Sequence, residues 1–260
     1  MRLSVAEFLN HLTEACAGEW ILLLIAPVVG SFLGAIIRRM PEGRSVAWTR
    51  SRCESCETPL AARDLVPILS WALAKGRCRY CGNAIGWFYP GVELAACGVA
   101  LVALAVNGGS DAWVDCLLGW WLLTLGWTDL RSWLLPDALT LPLVIAGLAV
   151  AVLFDADLLV DHALGAALGY LVLFGVAALY RILRGREGLG QGDAKLLAAS
   201  GAWLGASALP QVIVLAAVSA LGVAGCLRLA GVPLGAQSAL PFGPFLAIAT
   251  WVLWLHGPLA

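Results

Sequence analysis

Apolar residues come in blocks of about twenty along this chain, the length a helix needs to cross the hydrocarbon core of a bilayer. Eight such runs can be read, near residues 20–37, 90–107, 112–128, 136–154, 160–180, 194–207, 209–230 and 239–256, the sixth being short. Residues 1–19 carry Glu7, His11, Glu14 and Glu19 before any apolar core, the wrong order for a cleavable leader, so the first run is expected to stay in the mature protein. The polar breaks are lopsided. With eight crossings, all Lys and Arg residues except Arg2 fall on one side, from Arg38 and Arg39 through Lys75, Arg131 and Arg186 to Arg228. The other side collects Glu7, Glu14, Glu19, Asp111, Asp115, Asp155, Asp157 and Asp161, with His11, His162 and His256. Cytoplasmic loops are the basic ones, so both termini are expected outside the cytoplasm.

Composition sharpens the membrane assignment: 61% of the 260 residues are hydrophobic and 13% charged. The net charge of −1 conceals the polarity just described and carries no information about partners. There is no Gly-rich phosphate loop, no soluble dinucleotide-binding pattern and no sign of nucleic-acid binding. Gly30-x-x-x-Gly34 and Gly165-x-x-x-Gly169 read as close helix packing.

The longest hydrophilic segment, residues 38–89, holds Cys53-x-x-Cys56, then twenty-one residues, then Cys78-x-x-Cys81. Each Cys-x-x-Cys turn presents two sulfurs, and two of them complete a closed tetrathiolate, the ligand set of a structural zinc. Two disulfides are the competing use. The basic residues place this loop in the cytoplasm, where thiols stay reduced, and so favour the metal. Cys16, Cys97, Cys116 and Cys226 have no such spacing and read as small residues at or within spans. The expected fold class is all-α: a polytopic membrane helical bundle of about eight transmembrane helices with a small zinc-ribbon-like cytoplasmic loop. Three parts follow: residues 1–37, an outer segment and first span; residues 38–89, the tetra-cysteine loop; and residues 90–260, the remaining bundle.

Two carboxylates sit at the edges of apolar runs, Asp129 in Trp-Thr-Asp-Leu-Arg and Asp193 in Gly-Gln-Gly-Asp-Ala-Lys. Acids near the hydrocarbon are rare because they are costly there, roughly 2.5–3.5 kcal/mol at the centre of a span. Both fall on the basic, cytoplasmic edge. A pair of carboxylates, one ionised to take a proton from water and one protonated to give a proton to a carbonyl oxygen, can hydrolyse a peptide bond. Helix polarity alone assigns the proton to Asp129, at the C-terminal end of its run, and the charge to Asp193, which opens a later helix at the cytoplasmic edge. Gly190 and Gly192 would let the backbone take positive φ and let an extended substrate approach Asp193. A plainer reading makes Asp193 the N-cap of a helix. Asp137, after Pro136, competes as a dyad member but suits the first turn of a helix, and Lys195 can snorkel to lipid headgroups.

Taken in order, the motifs resemble the type IV prepilin peptidases, bifunctional leader peptidases and N-methyltransferases of the bacterial inner membrane. They are Gly-Ser-Phe-Leu at 30–33, Arg-Arg-Met-Pro at 38–41, the four cysteines, Lys75-Gly-Arg-Cys, Tyr89-Pro-Gly-Val-Glu-Leu, Thr128-Asp-Leu-Arg-Ser-Trp-Leu-Leu-Pro-Asp, Gly190-Gln-Gly-Asp-Ala-Lys and Pro241-Phe-Gly-Pro. The resemblance implies a GxGD-type intramembrane aspartic protease with Asp129 and Asp193 catalytic. Its partners would be prepilin or type II secretion pseudopilin precursors with short basic leaders, and the lipid bilayer. It also implies methylation of the new amino terminus by S-adenosylmethionine, with Gly76 and Glu93 as contributors to the methyl-donor site. The chain departs from many members at Gly34, where they carry Asn. A peptidase without methyltransferase activity, a proton-coupled transporter, and a scaffold built on the zinc loop are the competing functions. A transporter would place its acids near the midplane, and a scaffold would not need them.

Overall fold

The computed structural model describes residues 5–46, 50–154, 156–185, 190–232 and 240–257, with side chains from Glu19 onward. Arg2, Asp155 and Arg186 lie outside the described residues, as do the side chains of Glu7, His11, Glu14 and Cys16. The described chain is helical: α1 (Val5–Arg39), a short α2 (Leu69–Leu73), α3 (Phe88–Val106), α4 (Asp111–Ser132), α5 (Asp137–Phe154), α6 (Leu159–Arg184), α7 (Gln191–Leu204), α8 (Leu209–Leu229) and α9 (Gly243–His256). Among the described residues the only β pairing is two isolated antiparallel bridges, Arg52 with Pro59 and Arg77 with Ala84.

Every apolar run read from the sequence lies largely on a helix. Among the described residues five stretches are long and apolar enough to cross a membrane: Glu19–Arg39, Phe88–Val106, Asp137–Phe154, Ala156–Arg184 and Leu209–Leu229. α4 has 22 residues but carries Asp111, Asp115, Asp129 and Arg131, while α7 and α9 have 14 residues each. The outward faces are oily, with Leu153, Leu24 and Leu229 all more than two-thirds exposed, as a surface meeting lipid chains requires.

The chain divides into two compact units, Met1–Trp120 and Trp121–Ala260. In the first, α1 packs on α3 through small residues. A methyl group on Gly30 would come within 2.6 Å of the Glu93 backbone, and one on Gly34 within 2.9 Å of the Tyr89 ring. The Arg38 guanidinium then lies over the Phe88 and Tyr89 rings at 5.3 and 5.5 Å. A longer side chain at position 34 would have to displace the Tyr89 ring.

In the second unit α7 is the most enclosed element, buried at every residue from Asp193 to Trp203 except Lys195. It meets α6 almost backbone to backbone: a methyl group on Gly201 would sit 2.2 Å from the Gly165 carbonyl oxygen, and one on Gly169 would sit 2.5 Å from that of Leu197. The expected packing role of Gly165 and Gly169 is thus met. Trp203 on α7 donates to the Leu143 carbonyl of α5 at 2.9 Å, and Ser200 shares a 2.6 Å hydrogen bond with Thr250 of α9. Polar groups are satisfied in pairs inside this packing, as an apolar interior demands.

Candidate functional site

The cysteine loop builds its centre from two turns with one hydrogen-bonding plan. Cys53 N–H donates to the Thr58 carbonyl at 3.0 Å, and Cys78 N–H to that of Asn83 at 2.8 Å. Returning bonds run from Glu57 N–H to Cys53 O and from Gly82 N–H to Cys78 O, both at 2.9 Å. Glu57 and Gly82 occupy the same place in the two turns and both take positive φ, 54° and 73°. The four sulfurs converge to within 4.8 Å of one another, with Cys53 and Cys81 at 3.9 Å. A tetrahedral zinc with bonds of about 2.3 Å requires sulfurs roughly 3.8 Å apart, so the donor set fits that ion. The cysteines are unlinked. Backbone N–H groups of Cys56 and Ser55 lower the Cys53 thiol below its ordinary range, and those of Cys81 and Tyr80 do the same for Cys78. For Cys56 the Thr58 hydroxyl and N–H have that effect. Cys81 is pushed the other way, up to about 11, by desolvation and by the three neighbouring sulfurs, the crowding that a cation among four thiolates would relieve.

Next to this centre, and lined in part by Cys53 and Cys78, the first unit forms a partly open cavity of about 440 Å³ between the cysteine loop, α1 and the start of α3. Glu93, 5% exposed, lines it and accepts the Ile68 N–H at 2.7 Å. Gly76 is not on its wall. At φ +67° Gly76 packs under Trp71, whose ring a methyl group there would approach to 3.1 Å, and Trp71 does face the cavity.

In the second unit Asp129 lies near the end of α4 and Asp193 in the first turn of α7, only 6% and 7% exposed. They are close enough for the Asp129 charge to act on Asp193. Asp129 Oδ2 accepts the Gly243 N–H at the start of α9, at 3.0 Å. This role for Pro241-Phe-Gly-Pro is not evident from the sequence; the glycine before Pro244, where any side chain would crowd a carboxylate, is the available signal.

Other expectations need correcting. The N-cap of α7 is Gly190, not Asp193, which is the third residue of the helix. Gly190 has φ −70°, ordinary extended backbone, so positive φ is not what its lack of a side chain serves; a methyl group would lie 3.4 Å from Asp193 Oδ2. Gly192 packs on Leu135, whose Cβ a methyl group would approach to 2.7 Å. Lys195 does not reach away toward headgroups: its ammonium pairs with Asp137, because the first turns of α5 and α7 lie side by side. Asp137 is in the first turn of α5, whose opening N–H groups bond the Pro136 carbonyl.

Comparison with known proteins gives a consistent result. Residues 24–107 match the family model described as Bacterial Peptidase A24 N-terminal domain, and residues 116–225 match that of the Type IV leader peptidase family. Among curated relatives, the prepilin leader peptidase/N-methyltransferase of Aeromonas salmonicida is 38% identical over 91% of this chain and 90% of its own. That of Burkholderia pseudomallei is 39% identical over 86% and 81%, and that of Dichelobacter nodosus 34% over 96% and 95%. No solved structure matches the chain. With a relative of this identity aligned over nearly all of both sequences, the chain belongs to the type IV leader peptidase family.

Proposed function

We propose that this protein removes the short basic leader from prepilins or type II secretion pseudopilins and then methylates the new amino terminus with S-adenosylmethionine. The observation that carries the peptidase half is the pairing of Asp129 and Asp193, two buried carboxylates in electrostatic reach of each other. A proton-coupled transporter could also hold acids, but membership of a leader-peptidase family favours hydrolysis.

In this reading Asp129, fixed as an acceptor by the Gly243 N–H, is the base, and Asp193 holds the proton. Helix polarity, from the end of α4 at Asp129 and the start of α7 at Asp193, favours the reverse. Asp129 takes a proton from water, whose oxygen bonds to the scissile carbonyl carbon, while Asp193 gives its proton to the carbonyl oxygen. Collapse of the tetrahedral intermediate breaks the carbon–nitrogen bond, the leaving amine takes up a proton from Asp129, and the oxygen returns its own to Asp193. Gly190 leaves the approach to Asp193 free of side chain, and Gly192 seats α7 against Leu135.

The freed α-amine then attacks the sulfonium methyl group: a nitrogen–carbon bond forms, the carbon–sulfur electrons stay on sulfur, and the amine loses a proton. We assign this step to the first unit, with Glu93 and, through Trp71, Gly76 contributing. Cys53, Cys56, Cys78 and Cys81 would hold a structural zinc; a closed tetrathiolate has no open position for water. The protein would be multi-pass in the bacterial inner membrane, both termini periplasmic and the dyad at the cytoplasmic edge, the arrangement the basic loops favour. The test is to incubate the purified protein with a precursor whose leader ends in glycine and to follow products by mass. A shortened, methylated chain is expected; an unchanged precursor would overturn the reading.

A further inference from the structure

Two hydroxyls lie deep in the second unit, Ser200 on α7 and Thr250 on α9, each 1% exposed. Their oxygens are 2.6 Å apart. Each also reaches a carbonyl of its own helix, Ser200 that of Leu196 at 3.0 Å and Thr250 that of Leu246 at 2.7 Å. A hydroxyl has one proton to give, so with Thr250 donating to Leu246, Ser200 donates to Thr250, and a directional bond joins the two helices. Where the pair sits matters more than its polarity. Ser200 is seven residues after Asp193, and Thr250 is seven residues after Gly243, whose N–H holds Asp129. Seven residues make two helical turns, so each hydroxyl shares a face with the residue it follows, about 10.5 Å along the axis. Since α7 and α9 both start at the dyad, the bond between the hydroxyls brings Gly243 level with Asp193. On its other side α9 is seated on α4: a methyl group on Gly126, three residues before Asp129, would lie 3.3 Å from Pro244 Cα. The line of contact between α7 and α9 continues outward in Trp203 and Trp254, edge to face at 5.2 Å. Rings in that arrangement slide more readily than a short hydrogen bond bends.

We infer that Ser200 and Thr250 are positioning residues for peptide hydrolysis: their bond sets the register of α9 against α7 and, through Gly243, sets Asp129 opposite Asp193. The inference deepens the peptidase reading above and rests on it. Neither hydroxyl touches substrate. A slip of one residue in α9 would carry Gly243 about 1.5 Å along the axis and turn its N–H roughly 100° away from Asp129. Misplacement of that size acts on the reacting complex, and so on kcat, more than on peptide binding.

The test measures leader release from a precursor peptide by the full-length protein in detergent, for Thr250→Val, Ser200→Ala and Thr250→Ser. Thr250→Val keeps the shape and lets Ser200 donate to Leu196, while Ser200→Ala leaves Thr250 on Leu246, so neither strands a buried donor. Each should lower kcat about fivefold or more, with KM within about twofold of the wild type and melting temperature little changed. Thr250→Ser, which keeps the hydroxyl, should restore most of the rate. Because the effect passes through Gly243, adding Thr250→Val to Gly243→Ala should lower kcat no further, whereas an independent structural loss would multiply with it. If Thr250→Val does not fold, Ser200→Ala, alone and combined with Gly243→Ala, decides the matter. Wild-type kcat in a folded Thr250→Val or Ser200→Ala protein, or losses that multiply with Gly243→Ala, overturns the assignment and leaves the peptidase reading standing. Wild-type protein that cleaves no precursor overturns that reading, and this assignment with it.

Discussion

Gly243 gives its backbone N–H to the Asp129 carboxylate at 3.0 Å, and a methyl group on the same residue would sit 2.7 Å from the oxygen that receives it. The contact joins the start of α9 to the end of α4 and leaves room for hydrogen only. Gly243→Ala should therefore push the Asp129 oxygen aside without unfolding α9, since alanine suits a helix start. We expect kcat on a precursor peptide to fall at least about tenfold, as for loss of a positioned hydrogen bond, with KM little changed. A Gly243→Ala enzyme with wild-type kcat would remove this contact from the mechanism.

Asp129→Asn and Asp193→Asn should each abolish cleavage, because neither half of an acid–base pair acts alone. Asp137→Asn should keep activity within a few-fold of the wild type. Its carboxylate is 60% exposed and its pair with Lys195 is of the surface kind, worth about 0–1 kcal/mol. Initial rates of leader release, measured on equal amounts of folded protein, separate these outcomes. An inactive Asp137→Asn beside an active Asp129→Asn would mean the dyad has been misassigned.

Helix positions and the four cysteines were legible in the sequence because each is a local pattern: an apolar run of sufficient length, or two cysteines three residues apart. Asp129 and Asp193 were legible because an acid in oily surroundings is conspicuous. The contacts of Asp64 with Tyr80 and Arg79 were not, since Asp64 sits in an ordinary hydrophilic loop and folding brings those partners close. The Asp137–Lys195 pair was missed for a similar reason: its partners are 58 residues apart, and lysine near a span end is usually read as reaching for headgroups. The Gly243 contact was not legible either, because no periodicity could have placed the first N–H of α9 beside Asp129.

Purified protein should contain about one zinc per chain, and substitution of Cys53, Cys56, Cys78 or Cys81 by Ser should release it. Elemental analysis of the variants checks this. The loss should loosen the loop, seen as faster proteolysis between residues 50 and 86, rather than remove the aspartate chemistry. Zinc-free protein with a protease-resistant loop would contradict a structural metal.

Gly76→Val should yield cleaved but poorly methylated product. The residue has φ +67°, a region in which a β-branched side chain is strained, and its substituent would be driven against Trp71. Mass spectrometry of the product at saturating S-adenosylmethionine distinguishes the two activities. Equal loss of both would place the effect in folding rather than in the donor site.

The glycine contacts of α7 carry a mechanical consequence. Where Gly201 meets Gly165 and Leu197 meets Gly169 there are no side chains to switch rotamer, so two backbones bear directly on each other. A joint of that kind has little compliance: it holds or it breaks. Asp193, one turn before Leu197 on the same fourteen-residue helix, is therefore expected to be held in place with it. In the proposed mechanism, accommodation of different leader sequences then falls to the incoming peptide, which would thread to a fixed carboxylate instead of drawing the carboxylate to itself.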